Sequence, residues 1–182
     1  MKIILNGQNF VSIAGEVTRL NRKGHENGFI LSGNVNIPVK CNDEKVIARL
    51  KEGTWVEVRS HLRFSSENGT YKLIAGKIIN LPGIALTNIV LLDSYITDYA
   101  SDNGKYVLSV KHLALNRKSE KGELRDLPIK VEFSESKAAI INSMVRPNVL
   151  FKIEGRLAEN KERGYYLKGD HITNAEPIIR EV

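Results

Sequence analysis

The side chains able to do covalent or metal chemistry are few and scattered. His25, His61, His112 and His171 include no pair at the i, i+4 spacing that brings two imidazoles to one helix face, and one cysteine, Cys41, cannot build a thiolate zinc site. The chain has neither a GxxxxGK[ST] phosphate loop nor a G-x-S-x-G elbow. The expectation is a protein that is not an enzyme and uses no metal and no cofactor. A different chemistry is better supplied, that of rings beside cations. Trp55, Phe64, Tyr71, Tyr106 and Tyr166 offer flat faces; Arg19, Arg22, Lys23, Lys40, Arg59, Arg63, Lys72 and Lys77, then Arg117, Lys118, Lys121, Arg156 and Lys168, offer positive charge. Rings stack on flat groups and cations neutralise phosphates, so the set suits a partner that carries both.

The charge is unevenly spread. The 182 residues carry a net charge of +6, with a pI near 9.4. Residues 1–83 hold 12 Lys and Arg against 7 Asp and Glu, whereas residues 84–182 hold 15 against 14. A polyanionic partner is expected at the first half. A hydrophobic fraction of 42% with 26% charged residues is that of a folded chain. No apolar run nears the roughly 20 residues of a membrane span, and Met1-Lys2-Ile3-Ile4-Leu5 is too short for a secretory core. With a lone cysteine, this predicts a cytoplasmic protein without a membrane.

The elements that must position these residues occur twice. Trp55 to Phe64 alternates, with Val56, Val58 and Leu62 on one face and Glu57, Arg59, His61 and Arg63 on the other. Leu150 to Leu157 repeats it after 95 positions, with Phe151, Ile153 and Leu157 as the apolar set. Ahead of each lies a short strand and then an amphipathic stretch: Ile37 to Cys41 before Asp43 to Leu50, and Ile129 to Phe133 before Ser136 to Ile141, which Ser134 can cap. After each comes a turn and a returning strand, Asn68-Gly69 before Tyr71 to Ile79 and Gly164 before Tyr165-Tyr166. Two further strands precede each block, Val11 to Leu20 with Phe29 to Ser32, and Ile89 to Tyr99 with Tyr106 to Leu115. Strand, strand, strand, helix, strand, strand is the order of an OB barrel. The predicted fold is therefore all-β with short helices: tandem OB-fold five-stranded barrels, one in 1–83 and one in 84–182.

The segments Leu50-Lys51-Glu52-Gly53-Thr54-Trp55-Val56-Glu57-Val58 through Arg63, and Phe151-Lys152-Ile153-Glu154-Gly155-Arg156-Leu157, resemble the bacterial single-stranded DNA-binding protein family. That family carries a lysine-glycine turn followed by an alternating strand ending in glycine-x-leucine-arginine. The chain departs from it elsewhere. The family's tryptophan at the start of the third strand is replaced by Val35 in the first half and by no aromatic in the second; its phenylalanine at that strand's end is Phe133 in the second half and Cys41 in the first. The family's acidic tail has no counterpart in Pro177-Ile178-Ile179-Arg180-Glu181-Val182. The resemblance implies a divergent member with two barrels in one chain, of a kind that a phage or plasmid could encode, pairing as a homodimer to supply four barrels.

Such a protein is expected to coat exposed single strands in replication or recombination with little sequence preference, holding bases on rings and phosphates on cations. Trp55 is then a stacking platform or packs under a loop or interface. Phe64 and Tyr71 bracket a finger between strands four and five, and Tyr166 is expected to be the second-half counterpart of Tyr71. The connection Asn116 to Asp126, holding Arg117, Lys118 and Lys121, is either a contact hairpin or a solvated loop. The same features leave two alternatives open, a scaffold subunit of a replication or conjugation complex and an RNA-binding OB protein.

Overall fold

The computed structural model describes residues 2–5, 8–22, 27–102, 105–115, 124–144, 146, 149–162, 164–175 and 178–181. In chain order its elements are β1 (Lys2–Leu5), β2 (Asn9–Asn21), β3 (Gly28–Gly33), β4 (Asn36–Lys40), helix α1 (Glu44–Arg49), β5 (Trp55–Ser65), β6 (Thr70–Asn80), β7 (Asn88–Asp102), β8 (Lys105–Leu115), β9 (Leu124–Ser134), a 3-10 turn (Glu135–Lys137), α2 (Ala138–Met144), β10 (Leu150–Asn160), β11 (Gly164–Asn174) and β12 (Ile178–Glu181).

Strand pairing closes two rings. β2 pairs with β3, β3 with β4, β4 in parallel with β6, β6 with β5, and β5 with β2 again. The second ring repeats these steps through β7, β8, β9, β11 and β10, its parallel step being β9 with β11. Each is a five-stranded OB barrel, and closure leaves neither ring with an open edge. The alternation in β5 and β10 reads directly onto the cores, with Val56, Val58, Leu62, Phe151, Ile153 and Leu157 all buried. Asp43 caps α1 by accepting from the Lys45 and Val46 amides at 2.9 and 3.1 Å, and Ile47 and Leu50 are buried beneath it. The second cap differs from expectation: Ser134 makes no capping bond, because its hydroxyl pairs with that of Ser136, and the chain enters α2 through the 3-10 turn.

The barrels share two local devices. A β-bulge at Gly76 of β6 stands opposite the Arg59–Ser60 step, and one at Asp170 of β11 stands opposite the Glu154–Gly155 step, the same 95-residue offset along β5 and β10 as the apolar set. Beyond each bulge an asparagine completes the ladder. The Asn9 side chain donates to the Leu62 carbonyl and accepts from its amide, and Asn88 does the same at Leu157, all four bonds lying between 2.8 and 3.0 Å.

The first strands of the two barrels also pair with each other. β2 and β7 run antiparallel in the register Asn9↔Leu92, Val11↔Val90 and Ile13↔Asn88. Val11 and Val90 are equivalent residues of the two repeats, so a pseudo-twofold axis passes through their pair. Around it runs a continuous row, Ala75, Ser60, Val11, Val90, Gly155 and Gly169, across six strands. Glycine is required at the last two positions, since a Cβ would stand 2.3 Å from the Lys168 carbonyl oxygen at Gly155 and 2.3 Å from the Phe133 ring at Gly169. β1 and β12 pair with each other, bringing the two ends of the chain together.

Candidate nucleic-acid interface

The outer face of the first barrel holds a groove of about 420 Å³ across β2, β3, β4 and β6, whose rim carries Arg19, Lys40 and Lys72. The sheet places each cation there. Lys40 ends β4, whose inward residues Ile37 and Val39 are buried, and Lys72 precedes the buried Leu73 on β6. Arg63 is the register partner of Lys72 and is exposed. Arg19 arrives by a less common route. It sits where the β2–β3 register breaks between Thr18 and Asn21, with φ of 48°, the left-handed region that a side chain such as arginine rarely occupies. Glu52 secures the next residue by accepting from the Leu20 amide at 2.7 Å. Strain of this kind persists only where surrounding contacts hold it, and it concentrates at sites of function.

Asn27 also lines the groove. Its side chain is buried, and Oδ1 has no hydrogen-bond partner among the described residues. A buried acceptor left unpaired costs about 1–3 kcal/mol.

A larger cleft, about 670 Å³, lies between the barrels. Tyr71 from β6 and Tyr165 from β11 both line it, their rings 6.0 Å apart at 72°. The Tyr71 hydroxyl donates to the Pro128 carbonyl at 2.5 Å and the Tyr165 hydroxyl to the Asn36 carbonyl. Burial raises both phenols above their ordinary value, and Glu159 adds to the shift at Tyr165. Phe64 packs on Tyr71 with ring centroids 4.8 Å apart.

The register corrects one expectation about the tyrosines. Phe64 pairs with Tyr71 and Glu159 with Tyr165, while Leu73 and Leu167 occupy the same parallel step. The counterpart of Tyr71 is therefore Tyr165, and Tyr166 is buried, as its neighbour position on the opposite face requires. Tyr106 is buried too, its hydroxyl bonded to Asn142 and its ring stacked on the exposed Tyr99 at 5.8 Å. In this arrangement Tyr106 and Tyr166 offer no open face.

Several expected cations have other occupations. Arg22 donates from Nη2 to the Leu50 carbonyl at 2.6 Å and from Nε to that of Ile47 at 3.4 Å, satisfying the end of α1. Arg59 pairs with Glu57 at 2.8 Å and is in register with Lys77, on the sheet that joins the barrels. The Arg59 bond, helped by one from Ser12, holds the Glu57 carboxyl below the usual range. Arg156 pairs with Asp170 at 3.0 Å and is in register with the exposed Lys168. Trp55 is half-buried at the start of β5, its carbonyl accepting from Leu81, and it lines neither cavity. Lys23, Arg117, Lys118 and Lys121 lie outside the described residues.

Burial pushes the Cys41 thiol up, and the described residues contain no cluster of His, Cys, Asp and Glu that could hold a metal. No described helix is long and apolar enough to cross a membrane.

No family model and no curated protein matches the chain. Solved structures do. The wild-type single-stranded DNA binding protein from Thermus aquaticus is similar over 98% of this chain and 97% of its own, with a TM-score of 0.64 and 17% identity. A deletion mutant of that protein is similar over 94% and 96%, with a TM-score of 0.63 and 16% identity. The likeness is one of fold, and it takes in both barrels.

Proposed function

We propose that this chain binds single-stranded DNA with little sequence preference and protects strands exposed during replication or recombination. The observation that carries the reading is the convergence of Arg19, Lys40 and Lys72 on one groove of an OB barrel, on the face and beside the hairpins that such barrels use for oligonucleotides. A single strand can lay successive phosphates along these cations. The fold likeness to the Thermus aquaticus protein, whose name states the same ligand, supports the reading.

The homodimer belongs to the same proposal. The outer face of the joined sheet, opposite Val11 and Val90, carries exposed Ile89 beside half-buried Phe10 and Leu91, a surface on which a second copy can pack. A sedimentation mass of one chain at micromolar protein would remove the dimer. For the ligand, fluorescence anisotropy of a labelled oligo-dT strand, competed with unlabelled single-stranded DNA, RNA or duplex, is the test. Single-stranded DNA should compete best. Equal competition by duplex contradicts the proposal, and stronger competition by RNA reassigns the partner.

A further inference from the structure

The groove on the first barrel and the cleft between the barrels meet at Pro38, which lines both. We infer that one strand leaves the basic groove past Pro38 and seats a base in the inter-barrel cleft against Tyr71 and Tyr165, so that the two barrels form a single continuous site. This rests on the single-strand reading above and adds a subsite to it.

The cleft's surface matches a nucleotide. The hydroxyls of Tyr71 and Tyr165 are already bonded to the Pro128 and Asn36 carbonyls, so the rings contribute faces and edges only. Set edge to face at 72°, they form a corner in which a base can stack on one ring and meet the edge of the other. Those same bonds fix the rings in place, which reduces the ordering cost of binding. Lys130, exposed on β9, stands at the cleft with Ser109, giving a cation for a phosphate and a hydroxyl for a sugar or base edge, while the Thr97 hydroxyl donates to the Ser109 carbonyl at 3.0 Å. A volume of about 670 Å³ lies within the roughly 300–1,000 Å³ typical of small-ligand sites.

A polypeptide strand is a poorer occupant. Adding a strand needs free main-chain donors and acceptors along an edge. Pro38 and Pro128 have no N–H, and the Pro128 carbonyl is taken by Tyr71. Rings, prolines and a rim cation remain, and these suit the alternation of flat base and charged phosphate.

The test uses the full chain with oligo-dT strands of about 5 to 30 nucleotides, bracketing the roughly 4 to 16 that one OB barrel covers. Lys130→Glu reverses the rim charge at an exposed position, and Thr97→Trp fills the cleft; comparable melting temperatures check that each folds. The wild type should gain affinity once strands are long enough to reach the cleft, and each variant should lose about tenfold on long strands while binding the shortest as the wild type does. Strands carrying 5-iodouracil should photocross-link to Tyr71 or Tyr165. Long strands held equally by wild type and Lys130→Glu, with no adduct at either tyrosine, overturn the subsite. If the wild type binds no strand of any length, the single-strand reading itself fails.

Discussion

Tyr71 and Tyr165 face each other across the pseudo-twofold axis, and each hydroxyl crosses to the barrel that its ring does not belong to, Tyr71 to Pro128 and Tyr165 to Asn36. The acceptors are matched much as the donors are, because Val39 and Val131, each three residues beyond its acceptor, occupy the same parallel step. A repeat within one chain has thus built the kind of self-matching contact that a symmetric dimer makes between chains.

Removing one hydroxyl should weaken this clasp without breaking either barrel. Tyr71→Phe and Tyr165→Phe are each expected to cost about 1 kcal/mol in urea unfolding. Because the rings touch, the double variant should depart from the sum. Both phenols have folded values above the unfolded value of about 10, so their stabilisation is complete below that pH and is lost as pH rises through the folded values. The double Phe variant should lack this alkaline loss, and an unchanged alkaline profile would show that the clasp contributes nothing.

The asparagine bridges give a second pair of matched variants. Asn88→Ala leaves the Leu157 amide and carbonyl unpaired in a buried place, and should destabilise by about 1–3 kcal/mol. Asn9→Ala, at a partly buried site, should cost less. Denaturant midpoints that rank the two in the opposite order would contradict the burial argument.

Acid should also weaken the fold. His112 is buried and its ring nitrogen lies 2.6 Å from the Asp93 carbonyl, which can only accept, so Nδ1 carries a proton in the neutral tautomer. Burial lowers its value despite the opposing pull of Asp93, and His61 is lowered by burial, Arg63 and His112. Below about pH 6.5 the unfolded chain binds protons that the folded chain does not. Stability should therefore fall as pH drops below that point and level off beneath the folded values. Melting temperatures from pH 8 to pH 5 should show this slope, and His112→Gln should flatten it.

The strained backbone at Arg19 predicts a trade. Arg19→Gly relieves a left-handed conformation that costs about 1 kcal/mol or more in a residue with a Cβ, yet removes a groove cation. The variant should unfold at higher denaturant and bind oligo-dT more weakly. If both quantities fall together, Arg19 is structural rather than a ligand contact.

Much of this fold was legible because its signals are local. Val56, Val58 and Leu62 recur as Phe151, Ile153 and Leu157, and a period of two over such runs leaves little choice of face. The groove cations Lys40 and Lys72 were readable for the same reason, each next to a buried strand residue. What alternation cannot show is a side chain spent on a distant backbone. Asn9, Asn88 and Arg22 read as ordinary polar residues, and their roles appear only when Leu62, Leu157 and α1 come alongside. Tyr165 and not Tyr166 matches Tyr71 because the offset is 95 positions in β5 and β10 but 94 in β6 and β11, and one residue exchanges the two faces of a strand. The pairing of β1 with β12 joins segments at opposite ends of the chain, which short apolar runs do not announce.

The central claim is that cations of the first-barrel groove meet the phosphates of a single strand. The most direct measurement is the salt dependence of oligo-dT affinity for the wild type and for Lys40→Ala with Lys72→Ala. For single strands the log-log slope changes by about 0.7 for each phosphate that is no longer neutralised. The double variant should bind more weakly and show a slope shallower by about 1.4, with its melting temperature kept. Slopes that coincide, or a wild type whose affinity ignores salt, would contradict the claim.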